Sequence, residues 1–132
     1  MAIETAIVAP VLLLMSLGAF QISAVVARQN ELQSAAAEAE AIALAAPLVE
    51  NTTIKSIIMA SAGLSPDQVT VNTVYRCSND EDFTTHPESC ASAAETSTFL
   101  KIYMTDTYAP RWVQFGLGET LTYHVTRTVQ LS

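Results

Sequence analysis

The pattern of hydrophobic and polar positions divides the chain into an apolar N-terminal run and a longer segment of mixed character. Between Glu4 and Arg28 lie 23 consecutive residues without a formal charge, TAIVAPVLLLMSLGAFQISAVVA. As a helix this run would be about 35 Å long, enough to cross a hydrocarbon core of roughly 30 Å. Residues 1–27 are therefore predicted to form the membrane-spanning half of an N-terminal helix.

A secretory signal peptide is the competing interpretation, since Ala24-Val25-Val26-Ala27 offers small residues at which a peptidase could cut. Signal peptides have a basic segment followed by a short apolar core, whereas no Lys or Arg precedes this run and the run is longer. A membrane helix whose N-terminus is cytoplasmic usually has positive residues there. We therefore expect that a basic leader preceded this sequence and has been removed.

The helical period continues beyond Arg28, with apolar residues at the spacing of one helical face and Glu31, Ser34 and Glu38 on another. The apolar stripe comprises Leu32, Ala35, Ala36, Ala39, Ile42, Ala43 and Ala46. Residues 28–46 are thus predicted to continue the same helix and to pack Ala35, Ala39, Ile42 and Ala46 against a sheet. Pro47 ends the helix, because the residue before a proline is pushed out of helical geometry.

The rest of the chain predicts one short helix and then strands. Residues 51–62 have a helical apolar pattern that is closed by Gly63, and from Gln68 the period changes to two. Three strands are predicted. The first begins at Gln68, the second runs from Thr98 to about Tyr108, and the third runs from Thr120 to Leu131. The predicted fold class is α+β: a long N-terminal hydrophobic helix packed on a small antiparallel β-sheet of about three strands. Residues 28–132 would form the extracytoplasmic head, in which residues 68–131 are a β-meander with a cysteine-closed loop.

The charge and the cysteine content of the chain limit the classes of ligand and partner that we expect. Residues 28–132 carry twelve acidic against six basic side chains, so nucleic acid and anionic lipid are poor partners on electrostatic grounds. Cys77 and Cys90 are an isolated pair, and in an exported domain such a pair is more often a disulfide than two free thiols. The alternative is a zinc site that also uses His86 and His124, but the close ligand spacing of known zinc motifs is missing.

Motifs for catalysis are also missing from the sequence. It has no Gly-x-Ser-x-Gly, no His-Glu-x-x-His and no phosphate-binding glycine loop. We therefore expect neither enzymatic activity nor a cofactor.

The run from Glu4 to Leu14, ETAIVAPVLLL, resembles the N-terminal signature of TadE-like pilins, which are pseudopilins of the Tad or Flp branch of type IV pili. The later layout is similar as well, with a Gln- and Ala-rich helix from Gln29 to Ala46, a cysteine pair after the first strand and a Thr-rich final strand. The resemblance implies a structural subunit that joins other copies of itself, or other pilins, in a helical filament. It also implies an inner-membrane stage with the N-terminus cytoplasmic and the head periplasmic, and contact with the prepilin peptidase and the pilus assembly machinery.

The resemblance also assigns roles to residues of the apolar run. Glu4 would pair with the free α-amine of a neighbouring subunit, the group that Met1 carries in this numbering. The alternative is that Glu4 lies among lipid headgroups at the N-terminal end of its own helix, where negative charge is favoured. Pro10 removes one helical hydrogen bond and Gly18 weakens the helix, so this segment could unwind or bend on assembly, although membrane helices commonly tolerate both residues. The alternative function is a single-pass, membrane-anchored extracytoplasmic binding protein that does not polymerise.

Overall fold

The structure is a computed structural model of the chain, and it describes residues 2–78, 81–90, 96–116 and 118–132. Within these residues two α-helices are followed by three β-strands. Their bounds are α1, Ala2–Ala45; α2, Asn51–Ala62; β1, Val69–Cys77; β2, Thr96–Tyr108; and β3, Leu121–Gln130. The predicted class is confirmed, because a long apolar helix packs on a three-stranded antiparallel sheet.

The strands form a meander in the order β1-β2-β3, with both pairs antiparallel. Both helices pack on one face of this sheet: α2 contacts β1, and α1 contacts β2 and β3. Val71 pairs with Ile102, and Ile102 pairs with Arg127. These three positions, and every second residue along each strand from them, lie on the face of the sheet that packs against the helices. The core between the layers includes Ile54, Ile58, Val69, Leu100, Ile102, Met104 and Val125.

The apolar stripe of α1 is buried over most of its predicted length. Leu32, Ala35, Ala36, Ala39 and Ala43 are buried in the core. Ile42 and Ala46, which were also predicted to face the sheet, are only half-buried. Ile42, at i+10 from Leu32, falls on the flank of the buried set, whereas Ala46 lies beyond the end of α1 at Ala45.

The second helix has the predicted bounds and the predicted end. Its C-terminal residue is followed by Gly63, whose φ of 62° lies in the left-handed region that favours glycine. The Gly63 amide donates a hydrogen bond to the carbonyl of Met59, which satisfies one of the free carbonyls of the last turn.

The outer face of the sheet carries a small apolar cluster that the alternating pattern did not predict. Val74 falls on the polar face in the sequence, yet it is buried beside its β2 partner Phe99. The loop after β1 folds back over this pair, and Phe83 packs edge-on against Phe99 with ring centroids 5.2 Å apart. Backbone hydrogen bonds of 2.7 and 2.8 Å between Tyr75 and Thr84 hold the loop there.

Candidate assembly helix and its junction with the head

The N-terminal half of α1 is an apolar helix whose surface is left open by the other parts of the chain that the structure describes. From Thr5 to Phe20 every residue is exposed except the half-buried Gly18. The large side chains among them are Ile7, Val8, Val11, Leu12, Leu13, Leu14, Met15, Leu17 and Phe20. Among the described helices, α1 alone is long and apolar enough to cross a membrane by length and composition. Apolar surface of this extent needs a partner other than water.

The residues predicted to weaken this segment lie in continuous helix. Pro10 is inside α1, and the helix runs on through Gly18 without a break. The hydroxyl of Ser16 donates to the carbonyl of Leu12 over 2.8 Å, a side-chain bond of the kind that slightly weakens or bends helices. Bending or unwinding at Pro10 and Gly18 therefore stays a prediction for the assembled state.

The two charged groups predicted to meet between subunits are the α-amine of Met1 and the carboxylate of Glu4. Met1 lies outside the described residues. Only the helical backbone of Glu4 is described, and it belongs to the first turn of α1. Pairing between this carboxylate and a neighbour's amine is therefore still a prediction.

At the other end of the exposed segment, Arg28 makes three contacts, two of which connect α1 to other elements of the head. Its Nε atom donates to Oδ2 of Asp106 over 2.7 Å, and Nη1 donates to Oε2 of Glu31 over 2.7 Å. The same Nη1 also donates to the carbonyl of Ala62 over 2.8 Å, at the C-terminal end of α2. One guanidinium thus ties α1, α2 and β2 together, which its rigid array of donors makes possible.

Asp106 is the acceptor at the centre of this junction. Its Oδ1 atom accepts hydrogen bonds from Nε2 of Gln68 over 3.0 Å and from the amide of Thr107 over 2.9 Å. Burial raises the pKa of Asp106, but the hydrogen bonds from Arg28 and Thr107 and the positive charge of Arg28 outweigh burial, so the pKa is lowered. The carboxylate is thus held in its charged form.

Two tyrosines extend the junction toward the N-terminus. The hydroxyl of Tyr108 donates to Oε1 of Gln21 over 2.9 Å, and the hydroxyl of Tyr123 donates to the carbonyl of Val25 over 3.2 Å. Gln21 is buried by these contacts. The head therefore covers α1 from Gln21 onward. The uncharged run ends only at Arg28, which lies about 10 Å farther along the helix.

The sequence predictions did not identify this junction, although the signals were present. Asp106 shares a strand face with Leu100, Ile102 and Met104, and a carboxylate on a core-facing side needs a partner. Gln21 likewise is a buried amide within an apolar run. Asp106 pairs with Arg28, and Gln21 pairs with Tyr108, because of the way α1 is placed on the sheet. The hydrophobic pattern of one helix or one strand does not specify that placement.

The two cysteines lie at the opposite end of the head and form the disulfide Cys77–Cys90, with Cα atoms 5.4 Å apart. The bonded sulfurs leave no thiolate for a metal ion. The histidines of the alternative zinc set have other partners: Nδ1 of His86 lies 2.9 Å from Glu88, and Nδ1 of His124 lies 2.8 Å from the hydroxyl of Tyr103.

Residues 1–40 match the family model described as TadE-like protein. The N-terminal segment is TadE-like. The match covers the exposed half of α1, Arg28 and the first part of the buried alanine stripe, so the resemblance predicted from the run after Glu4 is confirmed. The sheet lies outside the TadE-like segment. No curated protein and no solved structure matches the chain.

Proposed function

We propose that this protein is a pilin-like structural subunit of a bacterial type IV, Tad-type pilus. The observation that carries the proposal is the exposed apolar half of α1, a TadE-like helix that no other element covers among the residues that the structure describes. Lipid can cover that surface before assembly, and the equivalent helices of other subunits can cover it afterwards. Both environments remove the same apolar area from water.

The two stages correspond to two locations. Before assembly the subunit would lie in the inner membrane with its N-terminus in the cytoplasm and its head in the periplasm. After assembly the helices would form the filament core and the heads its surface, outside the cell. A disulfide in the head fits an oxidising compartment beyond the cytoplasm. The prepilin peptidase and the pilus assembly machinery are the further partners that the TadE-like segment suggests.

Glu4 is the residue on which assembly should depend most. It is the first charged residue of the chain, and within a bundle of apolar helices an ionised carboxylate without a partner is costly. An amine of a neighbouring subunit about 4 Å away would contribute roughly 4 kcal/mol at an effective dielectric constant of about 20. The described core of the head contains no residue before Val25, so we expect its folding not to depend on Glu4.

The experiment compares Glu4→Ala with wild type in a bacterium that builds the filaments. Membrane levels of the variant should be unchanged, because removing a charge from an apolar helix favours insertion. Its yield in sheared filaments should fall by tenfold or more, since each 1.4 kcal/mol corresponds to a factor of ten. Glu38→Ala is the matched control, because it removes an exposed glutamate from the head half of the same helix.

The possible outcomes separate the two functions. Normal incorporation of Glu4→Ala at a normal membrane level would disprove the proposed pairing. Wild-type protein that stays in the membrane and never appears in filaments would instead support the alternative, a single-pass membrane-anchored binding protein. Filaments made only of this protein would identify it as a major subunit.

A further inference from the structure

The strand β2 runs opposite to α1, and this fixes which end of the head faces the membrane. Leu100 lines the same cavity as Ala43, near the C-terminal end of α1. Farther along β2, Asp106 meets Arg28 and Tyr108 meets Gln21, so each step along the strand leads back toward the N-terminus of the helix. The connection between β2 and β3 therefore leaves the sheet at the end nearest the exposed apolar segment.

The length of the exposed apolar segment of α1 determines how close the head can come to a bilayer that the helix crosses. The exposed residues Thr5–Phe20 span about 24 Å as a helix, close to the roughly 30 Å of a hydrocarbon core. A loop or an open sheet edge cannot enter the core, because its free backbone groups would lose their hydrogen bonds to water. In a bilayer crossed by α1, the surface would therefore lie at the level of Gln21, at which the head begins.

The β2–β3 connection has the composition of a membrane-interface contact. Trp112 and Val113 are half-buried, Arg111 is exposed, and Leu121 at the start of β3 is 40% exposed. Tryptophan and tyrosine are enriched at the headgroup level, since their rings are apolar and one end is polar. An arginine beside them can lay its apolar stem along the interface and keep its charge in water.

The turn that presents Trp112 is structurally fixed. Residues Arg111–Phe115 form a single 3-10 helix that follows the buried Pro110, and the amide of Val113 donates to the carbonyl of Pro110 over 3.0 Å. Gly118 has a φ of 75°, and a Cβ atom there would lie 3.3 Å from Nε1 of Trp112. The backbone thus passes close against the indole and limits its movement.

We propose that this turn, residues 110–116, binds the lipid headgroup layer of the bilayer that α1 crosses, with Trp112 as its main contact. The proposal rests on the proposed function, because it needs α1 to be in a membrane before assembly. The lipid it suits is zwitterionic, since the chain has a net charge of −7 and would be repelled by a strongly anionic surface.

Depth-dependent fluorescence quenching tests the proposal on the full chain in phosphatidylcholine vesicles. Trp112 is the single tryptophan of the sequence, so wild-type emission reports on this turn alone. The vesicles contain lipid brominated either near the headgroup end of the acyl chain or near its methyl end. Bromines near the headgroup should quench Trp112 at least twofold more strongly than bromines near the methyl end.

Two variants in a Trp112→Phe background calibrate the measurement. Leu13→Trp places the probe in the middle of the exposed helix and should be quenched most by bromines near the methyl end. Leu48→Trp places it beyond the far end of α1, at a position that is 97% exposed, and should be quenched by neither lipid.

The three emission signals distinguish failure of this proposal from failure of the proposed function. If Leu13→Trp is quenched and Trp112 is not, the helix inserts but the turn does not touch lipid, and only the present proposal is overturned. If Leu48→Trp is quenched as strongly as Trp112, the head lies on its side and the proposal is again overturned. If Leu13→Trp is not quenched either, the anchor itself is wrong and both proposals fall.

Discussion

The two halves of α1 are one continuous helix with opposite surroundings. Leu13 in the N-terminal half is 71% exposed, whereas Leu32 in the other half is fully buried. The N-terminal half carries large apolar side chains on all sides, which is typical of a helix that lipid or other helices surround. The second half buries a narrow stripe that is mostly alanine, which lets the sheet and α2 approach the helix backbone closely. The first half is thus suited to partners outside the chain and the second to partners within it.

The polar contacts of the Arg28 junction lie between these two halves. Arg28, Asp106 and Gln21 hold the helix to the head at the level at which its surroundings change. Apolar packing alone would allow an alanine stripe to slide along the sheet, because its side chains are small and alike. The directional hydrogen bonds of the junction fix one register, and the orientation of the head relative to the anchor follows from it.

The same leucine-to-alanine substitution should have very different effects in the two halves of α1. Leu32→Ala should lower the free energy of unfolding of the head by about 2 to 5 kcal/mol, because it removes a fully buried side chain and leaves a cavity. Leu13→Ala should change it by less than about 0.5 kcal/mol, because that side chain does not contribute to the head. Urea unfolding of the full chain in non-ionic micelles, followed by circular dichroism, measures both. Equal losses would show that the exposed half is part of the folded unit.

Removing the disulfide should also destabilise the head without affecting the exposed half of α1, and by a slightly smaller free energy of unfolding. The bond joins Cys77 to Cys90 far from the anchor, and a closed loop of this size contributes roughly 3 kcal/mol in the chain-entropy model. The double substitution Cys77→Ser, Cys90→Ser should destabilise the head by about that amount and leave membrane insertion unchanged. Intact mass before and after alkylation of the unreduced wild-type protein gives the control, and two alkylated thiols would show that the bond is absent.

Much of the fold follows from local patterns in the sequence. The uncharged run, the alanine stripe, the glycine after α2 and the period of two in the strands each report a local property, and the structure agrees with them apart from Val74 and the stripe positions Ile42 and Ala46. The third strand illustrates the limit. Arg127 interrupts its apolar face in the sequence, and in the structure its Nη2 atom donates to Gln33 of α1 over 3.1 Å. The strand pattern predicts that such a residue needs a partner but does not say which one.

The outer face of the sheet was harder to predict for a related reason. Val74 lies among polar residues in β1, so a period of two assigns it to solvent. It is buried because the disulfide loop returns across the sheet, where Phe83 packs against Phe99, and Cζ of Arg76 lies 5.1 Å from the centre of the Phe99 ring. A polar loop gives little sign of such a return, since Phe83 is its one aromatic side chain and the backbone bonds between Tyr75 and Thr84 leave no trace in the residue pattern.

The smallest of the three effects tests the junction itself. Asp106→Asn removes the charge that Arg28 binds and should lower the free energy of unfolding by about 1.5 to 3 kcal/mol at neutral pH, the range for hydrogen bonds to charged groups. The matched control is Asp67→Asn, which removes the same charge from an exposed turn and should cost less than about 0.5 kcal/mol. A similar loss for both variants would indicate a general effect of net charge rather than of this contact.

The pH dependence of the Asp106 contribution gives an independent check with a definite sign. Folding lowers the pKa of this carboxyl, so the unfolded state binds its proton more readily than the folded state. The stabilisation is therefore fully present above the unfolded pKa, near 4, and is lost as the pH falls through the lower folded value. Wild type should lose stability below about pH 4 more steeply than Asp106→Asn, and the difference between the two unfolding midpoints should narrow there. A difference that stays constant from neutral pH to pH 3 would show that the asparagine variant is destabilised by altered packing and not by the lost charge.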